Sequence, residues 1–184
     1  MDVAALYVDP KGPYYALGVD CWDEARDAKL YTGPHPVVAH PPCGPWGRLK
    51  FLCKHQDPSC GPRAVEQVRE HGGVLEHPQH SSLWKACGLP RPGQGYDRFG
   101  GRTYEVRQVH WGHKCEKPTW LYMVGVPPFL VLEGLRTGGV ATHRVTNGSR
   151  EKTHLPRVSA LEARLTPPAF AEWLVSLARV AHKP

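Results

Sequence analysis

A short apolar run that stops at two prolines places the strongest limits on how this chain folds. Residues Val37–Ala39 form a segment typical of a strand buried on both faces. Because Pro41 and Pro42 cannot donate hydrogen bonds to a ladder, the run predicts a strand that ends at His40. Cys43 follows directly. The sequence therefore predicts a reactive thiol at the carboxyl end of a strand, where open α/β sheets bind their ligands.

A second strand with a similar ending follows one helix later. Residues 60–71 have the apolar spacing of a helix, and Gly72 and Gly73 are typical of its end. Val74 and Leu75 then predict a short buried strand that stops at Glu76. Strand, helix and strand predict a βαβ unit with parallel strands whose carboxyl ends share one edge. We therefore expect the side chains of Cys43 and Glu76 to face the same crevice.

The remaining elements complete an α/β pattern. We expect a strand at residues 4–8, an extended run at 14–19, strands at 102–111 and 119–126, and a terminal helix opening at Thr166-Pro167-Pro168. The length of 184 residues is that of one domain. No apolar run approaches bilayer length, and the first residues predict no secretion signal. The expected location is therefore the cytoplasm, with the six cysteines as reduced thiols.

The charge of the chain is compatible with a polyanionic partner. Lysine and arginine exceed aspartate and glutamate by 23 − 17 = 6, and the isoelectric point is about 9.1. This mild excess is far from the dense basic arms of dedicated nucleic-acid binders. The basic run from Arg136 to Arg157 is interpreted either as a phosphate-contacting segment or as a solvated loop.

The residue types at the two strand ends indicate a particular chemistry. A cysteine thiolate is intrinsically nucleophilic and adds to electron-poor carbon. A carboxyl group across the crevice can hold or donate a proton on the ring under attack. Cys43 and Glu76 together therefore fit attack on C6 of a pyrimidine with protonation at N3, which activates C5.

The order of motifs resembles the cytosine-C5 DNA methyltransferases over roughly residues 37–177. The matching stretches are Pro41-Pro42-Cys43, Glu76 after a strand, Gln108, Gly112 and Lys117 ahead of an apolar strand, and Arg164-Leu165-Thr166-Pro167-Pro168. The stretches His-Pro-Pro-Cys, Leu-Glu-His-Pro and Lys-x-Thr-Trp-Leu-Tyr also resemble small phage and prophage proteins. These likenesses imply a bacterial or phage-infected cell as the setting.

The resemblance implies a fold and a reaction. The implied fold is α/β, a shortened Rossmann-like methyltransferase-type sheet with flanking helices. It forms a single domain over residues 1–184, with a short irregular recognition-like insertion at about 126–160. The implied reaction is methylation of C5 of a cytosine flipped out of DNA, with S-adenosylmethionine as methyl donor. Cys43 then adds to C6 and Glu76 serves N3.

The same resemblance assigns the remaining site residues by position. The cofactor contacts it implies are Asp20, Asp27 and Pro41. The substrate and DNA contacts it implies are Gln108, His110, Lys114, Lys117 and Arg164. Trp46 is predicted to stack on an extruded base because it sits beside Cys43, and Arg48, in the basic segment that follows, is predicted to contact DNA.

Several family features are changed in this sequence. Glu-Asn-Val is replaced by Glu76-His77-Pro78, and the two arginines of the Gln-x-Arg-x-Arg motif are replaced by His110 and Gly112. The glycine-rich loop that receives S-adenosylmethionine is absent, since residues 7–12 are not equivalent to it. Two alternatives therefore stay open. One is a different pyrimidine or nucleotide modification without this cofactor, and the other is a non-catalytic nucleic-acid-binding relative.

A metal site is a weaker interpretation of the histidines and cysteines. Only the pairs His40/Cys43 and Cys53/His55 approach zinc-ligand spacing. The zinc deaminase pattern is not met, because Cys43 is followed by Gly-Pro-Trp. No metal is therefore expected.

Overall fold

The fold is built on one six-stranded sheet. The computed structural model describes residues 2–47, 50–53, 57–145 and 154–182. The strands are β1 (Ala4–Leu6), β2 (Asp20–Trp22), β3 (Val37–Ala39), β4 (Gly73–Pro78), β5 (Gly101–Arg107) and β6 (Pro118–Val124). Their spatial order is β2-β1-β3-β4-β6-β5.

The first four strands are parallel, and the sheet then changes direction. β1 pairs with both β2 and β3, and β3 pairs with β4 in the register Val38↔Val74. β6 is antiparallel to β4 and to β5. The chain leaves β1 toward β2 and returns to the other side of β1 as β3, so the strand order reverses there. Such switch points are where open α/β sheets bind ligands, beyond the carboxyl ends of the strands.

Helices cover both faces of the sheet. They are α1 (Cys60–His71), α2 (Ser82–Ala86), α3 (Pro128–Glu133), α4 (Ala160–Arg164) and α5 (Pro168–Arg179). Val38 and Val74 pack in one core cluster with Phe170 and Leu174 of α5. Val37 and Leu75 belong to the opposite cluster, with the apolar side of α1. The alternation along β3 and β4 thus buries both faces of the central strands.

The central predictions are confirmed. β3 spans the predicted apolar run, α1 spans the predicted helix, and β3 and β4 are parallel neighbours. The terminal helix is present, with Phe170, Leu174 and Leu177 buried. A mixed sheet with flanking helices makes this an α/β protein. Within the described ranges, no helix is both long enough and apolar enough to cross a bilayer.

Two predicted strand boundaries are wrong. Residues Pro13–Leu17 form a 3-10 helix rather than extended chain, because Pro13 opens a turn that buries Tyr14 and ends at the left-handed Gly18. The strand predicted at 102–111 ends at Arg107. Residues Gln108–Trp111 form a 3-10 helix that buries Gln108, so side-chain alternation alone does not mark this end.

The segment at about 126–160 contains more regular structure than its composition indicates. It begins with α3, whose Val131 is buried in the core, and α4 starts at Ala160. Arg144 and Arg157 form an isolated bridge. Residues 146–153, which include part of the predicted basic run, lie outside the described residues.

A glycine sets the close spacing of β3 and β4, and replacing it provides a stability test. Gly73 has a φ of +117°, and an added Cβ would lie 2.0 Å from the carbonyl oxygen of Val37. We expect Gly73→Ala to lower the free energy of unfolding by about 3 kcal/mol, through backbone strain and steric overlap. Chemical denaturation measures this.

The matched control is Gly88→Ala. Gly88 also has a positive φ, of +61°, but nothing lies within 4 Å of an added Cβ. Its expected cost is about 1 kcal/mol. Equal losses in the two variants would contradict the steric argument.

Candidate active site

Cys43 lies just beyond the carboxyl end of β3. Pro41 and Pro42 end the strand, and Cys43 caps the 3-10 helix Gly44–Trp46. Its carbonyl oxygen accepts hydrogen bonds from the backbone N–H groups of Trp46 and Gly47. The residue is exposed, whereas the strand before it is fully buried. The tight turn therefore presents a thiol at the surface on a fixed backbone.

Glu76 lies on the neighbouring strand and is held on both carboxylate oxygens. Oε2 lies 3.1 Å from Nδ1 of His40, and Oε1 accepts a hydrogen bond of 2.9 Å from Nε2 of Gln108. The same Gln108 nitrogen donates to Oγ1 of Thr119 at 3.0 Å. The side chain of Glu76 is only 12% exposed. Its position is therefore fixed by β3, β4 and the 3-10 helix after β5.

Glu76 does not end its strand, as the sequence predicted, but lies within it. β4 continues to Pro78, and Glu76 is paired with Leu121 of the antiparallel strand β6. Proline is tolerated because Pro78 is the last residue of β4. The carboxylate consequently projects from a paired strand rather than from a loop, which makes its position more rigid.

The charges around Glu76 keep it ionised. Burial raises the pKa of its carboxyl group, but the hydrogen bond and charge of His40, together with the charge of Lys117, lower the pKa to about 2. The adjacent His77 faces the other side of the sheet, with its ring 6.3 Å from that of Trp84. Burial lowers the pKa of His77 to about 4. At neutral pH, Glu76 is therefore a carboxylate and His77 is neutral.

Cys43 is close enough to Glu76 for the two groups to influence each other. Protein atoms around the thiol raise its pKa, and the negative charge of Glu76 raises it further. The positive charges of Lys117 and Arg164 act in the opposite direction. The thiol is consequently protonated at neutral pH and carries two cations beside it that favour its thiolate.

Lys117 joins the C-terminal part of the chain to this site. Its Nζ donates hydrogen bonds to the carbonyl oxygens of Arg164 and Leu165, at 3.2 and 2.7 Å. Burial lowers the pKa of Lys117, while Glu76 and Cys43 raise it. The ammonium group thus holds the end of α4 next to the thiol and the carboxylate.

Lys117 provides a test of the electrostatics at Cys43. Replacing Lys117 with Gln removes a charge that lowers the pKa of the thiol, so this pKa should rise and the thiolate fraction at neutral pH should fall. We expect iodoacetamide to alkylate Cys43 more slowly, by up to about tenfold. Peptide mass spectrometry resolves Cys43 from the other five cysteines.

Lys114→Gln is the matched control for that measurement. Lys114 also reaches α4, since its Nζ lies 2.6 Å from Oε1 of Glu162, but its pair is exposed and it does not act on Cys43. In the Lys114→Gln variant, iodoacetamide should alkylate Cys43 at the wild-type rate. A slowing of the same size in both variants would attribute the effect to α4 and contradict the charge argument.

Three of the predicted substrate contacts lie at the Cys43–Glu76 pair, and the others do not. Gln108, Lys117 and Arg164 lie at the Cys43–Glu76 pair, through bonds or charge. His110 accepts a hydrogen bond from the backbone of Gly139, and Lys114 is bound to Glu162. Arg48, and His55 of the Cys53/His55 pair, lie outside the described residues.

Trp46 packs inward rather than standing over the thiol. It lies against the α1 core cluster, so close to Gly61 that an added Cβ would meet its Nε1 at 2.6 Å. Its carbonyl oxygen accepts a hydrogen bond from Ser82. Trp46 therefore serves the core and supports the turn that carries Cys43.

The residues predicted to contact a cofactor are separate from one another. Asp20 begins β2, away from the carboxyl edge, and binds Arg26 and the indole N–H of Trp22. Asp27 has a left-handed backbone and caps a short 3-10 helix. Pro41 is buried directly after β3.

The carboxyl ends of β1 and β2 do not fit S-adenosylmethionine. Asp23, at the end of β2, is buried and already accepts hydrogen bonds from the hydroxyl of Tyr15 and the backbone of Arg26. After β1, Asp9 closes a turn by accepting bonds from the N–H groups of Lys11 and Gly12. Both acids are therefore engaged by hydrogen-bond donors of the protein itself.

Two residues that the motif order did not select belong to the site. Nε2 of His40 lies 2.5 Å from the hydroxyl of Tyr14, and Nδ1 of His40 contacts Glu76. His40 precedes the two prolines and is recognisable by that position, whereas nothing in the sequence marks Tyr14.

In the part of the chain that the structure describes, no three His, Cys, Asp or Glu side chains are grouped to hold a metal ion. The six cysteines are free thiols.

A cavity with both basic and acidic lining residues adjoins the 3-10 helix that carries Gln108. Its volume is about 220 Å³, and Arg107, His110 and Arg136 are among the residues that line it. His110 and Gln108 belong to the same 3-10 helix, so one short element joins the cavity to the carboxylate.

No protein-family model matches the chain, and no curated protein matches its sequence.

Proposed function

We propose that this chain is an enzyme that modifies cytosine in DNA at C5 through a covalent adduct between Cys43 and C6 of the base. One observation carries the proposal: Cys43 follows β3 and Glu76 lies on the paired parallel strand β4, and at this carboxyl edge of the sheet the fixed, ionised carboxylate raises the pKa of the exposed cysteine. A nucleophile and an acid–base group in one crevice are what this addition requires.

The reaction follows from the roles of the two side chains. The Cys43 thiol, which is exposed, releases its proton to water, and its sulfur forms a bond to C6. The electrons of the C5=C6 bond then move toward N3, which takes up a proton that passes through the carboxyl group of Glu76. C5 becomes nucleophilic and bonds to an electrophile. Loss of the C5 proton and of the thiolate restores the aromatic ring.

The ionised carboxylate favours cytosine over uracil or thymine. Cytosine presents a 4-amino donor beside an N3 that becomes a donor once it has taken up a proton, and both N–H groups then match the oxygens of Glu76. Uracil and thymine present an oxygen at position 4, which a carboxylate repels. The amide nitrogen of Gln108 holds Glu76 in this orientation.

The setting of the site supports a base extruded from a nucleic acid. C6 of a stacked base is out of reach for a side chain on a sheet edge, so the base must leave the helix. Lys117 and Arg164 beside the thiol, and the cavity with Arg107 and Arg136, supply cations for flanking phosphates. The mixed sheet is compatible with the methyltransferase-type fold that the motifs imply.

The methyl donor implied by the motifs is not part of this proposal. The occupied carboxylates at the ends of β1 and β2 leave the electrophile unassigned, and no step through S-adenosylmethionine is derived. We expect calorimetric titration of the chain with S-adenosylmethionine at millimolar concentration to give no saturable heat. A saturable isotherm lost in Asp23→Ala would contradict this expectation.

Release of tritium from C5 tests the function without any donor. When C5 of the adduct takes a proton from water and then loses its original hydrogen, DNA labelled with tritium at C5 of cytosine releases label to solvent. We expect release by the wild-type chain and none by Cys43→Ala. Equal release from free labelled deoxycytidine monophosphate would move the substrate from DNA to the nucleotide. Release no faster than with Cys43→Ala would contradict the proposed function.

A further inference from the structure

Three side chains from separate parts of the chain form a hydrogen-bonded row that the reaction above leaves unused. The Tyr14 hydroxyl lies 2.5 Å from Nε2 of His40, and Nδ1 of His40 lies 3.1 Å from Oε2 of Glu76. Tyr14 comes from the 3-10 helix after β1, His40 from the end of β3 and Glu76 from β4. Both ring nitrogens of His40 are thereby engaged.

The row is enclosed by protein at one end and open to the site at the other. Tyr14 is 2% exposed and packs in the core cluster under α5. Burial raises the pKa of Tyr14 well above its ordinary value, so it stays a phenol. Glu76, at the other end, shares the crevice with Cys43. Tyr14 therefore closes the row at the buried end, and Glu76 forms the end next to Cys43.

The proposed reaction has a requirement that Glu76 alone does not meet. N3 needs a proton when the sulfur adds to C6, yet Glu76 rests as a carboxylate with no proton to give. Its Oε1 accepts from an amide of Gln108, which is not an acid. Its Oε2 faces His40, whose imidazole can carry a proton on the nitrogen that faces the carboxylate.

We propose that Tyr14, His40 and Glu76 form a relay in which His40 supplies the proton that Glu76 delivers to N3, with Tyr14 positioning the imidazole. As the bond from Sγ to C6 forms, one proton leaves Nδ1 of an imidazolium and one reaches N3 through the carboxyl group. The neutral ring keeps its remaining proton on Nε2, facing the oxygen of Tyr14. When the thiolate leaves, the proton returns along the same path.

This inference rests on the proposed function, and it makes His40 and Tyr14 positioning residues that act through Glu76. Tyr14 and Glu76 contact His40, and His77, whose ring faces the other side of the sheet, is coupled to it by charge. Lys117 and Cys43 act on it through Glu76. Because His40 faces Glu76 directly, the pH dependence of adduct formation should change when His40 is replaced.

The test measures the rate of adduct formation with a duplex that contains 5-azacytosine, across a range of pH. A nitrogen at position 5 makes C6 more electron-poor, so the adduct persists on a denaturing gel. We expect His40→Gln to slow the reaction by about a hundredfold and to remove one limb of the pH profile. Tyr14→Phe, which deletes one oxygen, should slow it by about tenfold and displace that limb.

Alkylation of Cys43 by iodoacetamide serves as the control for a collapsed site. A rate within twofold of the wild type in both variants shows that the thiol and its surroundings are preserved. If the wild type forms an adduct and folded His40→Gln forms it at the same rate with the same pH profile, the relay is wrong and the proposed function stands. If the wild type forms no adduct, both are wrong. If His40→Gln does not fold, Tyr14→Phe decides the question. A rate of adduct formation and a pH profile equal to those of the wild type in Tyr14→Phe would then overturn the relay.

Discussion

Replacing Cys43 with Ala is expected to abolish the covalent adduct with a 5-azacytosine duplex. The sulfur supplies the only bond between protein and base in the proposed reaction, so no slower route through another group exists. The loss should be complete on a denaturing gel at every protein concentration. Binding of the duplex should change little, because the cations of Lys117 and Arg164 are untouched.

Cys87→Ala is the matched control for this loss. Cys87 is a free, half-buried thiol that ends α2 and packs on the α1 core cluster, far from β3 in the sequence. Its variant should form the adduct at the wild-type rate. If the adduct still forms in Cys43→Ala but is lost in Cys87→Ala, the nucleophile is Cys87 and the proposal for Cys43 is contradicted.

Replacing Glu76 with Gln is expected to change two reactions of Cys43 in opposite directions. Addition to the base should slow by a factor on the order of 10² to 10⁴, because proton transfer at N3 is lost. Alkylation of the thiol by iodoacetamide should become faster. The carboxylate raises the pKa of Cys43, so removing its charge lowers that pKa and increases the thiolate fraction at neutral pH.

This divergence separates a chemical role for Glu76 from a structural one. Damage to the site would slow both reactions or leave alkylation unchanged. Glu66→Gln, on the exposed side of α1, is the control and should alter neither rate. Slowing of both reactions in folded Glu76→Gln would contradict the electrostatic coupling between the two side chains.

The central βαβ unit was predictable because its signals are local. The apolar run of β3 stops at prolines, and α1 ends at a glycine pair, so the residues next to each boundary are enough to predict it. Parallel pairing of β3 and β4 follows from a helix between two short strands. These elements alone bring Cys43 and Glu76 to one edge of the sheet.

The remainder depends on contacts between distant parts of the chain. The sequence pattern predicts that Tyr14 lies in an extended run. Burial of its ring under α5 and the contact with His40 instead favour a 3-10 helix. Glu76 reads as the end of a strand, yet pairing with β6 extends β4 to Pro78. Neither outcome has a signal within a few residues, so local patterns do not predict it.

The same reasoning explains which site residues were found. Gln108, Lys117 and Arg164 were selected by motif order and do surround the pair. Trp46 was selected for its proximity to Cys43, but the groove left by Gly61 draws its ring into the core. Sequence proximity indicates where the backbone of a residue lies and not which way its side chain turns.

Peptide mapping of the trapped complex tests the shared role of Cys43 and Glu76 most directly. The wild-type chain is incubated with the 5-azacytosine duplex, the DNA and protein are digested, and the peptides are weighed. The proposal predicts one modified peptide, which contains Cys43 and carries the mass of a single nucleotide, at a yield that falls sharply in Glu76→Gln. Modification of a different cysteine, or a yield at Cys43 that is unchanged in Glu76→Gln, would contradict it.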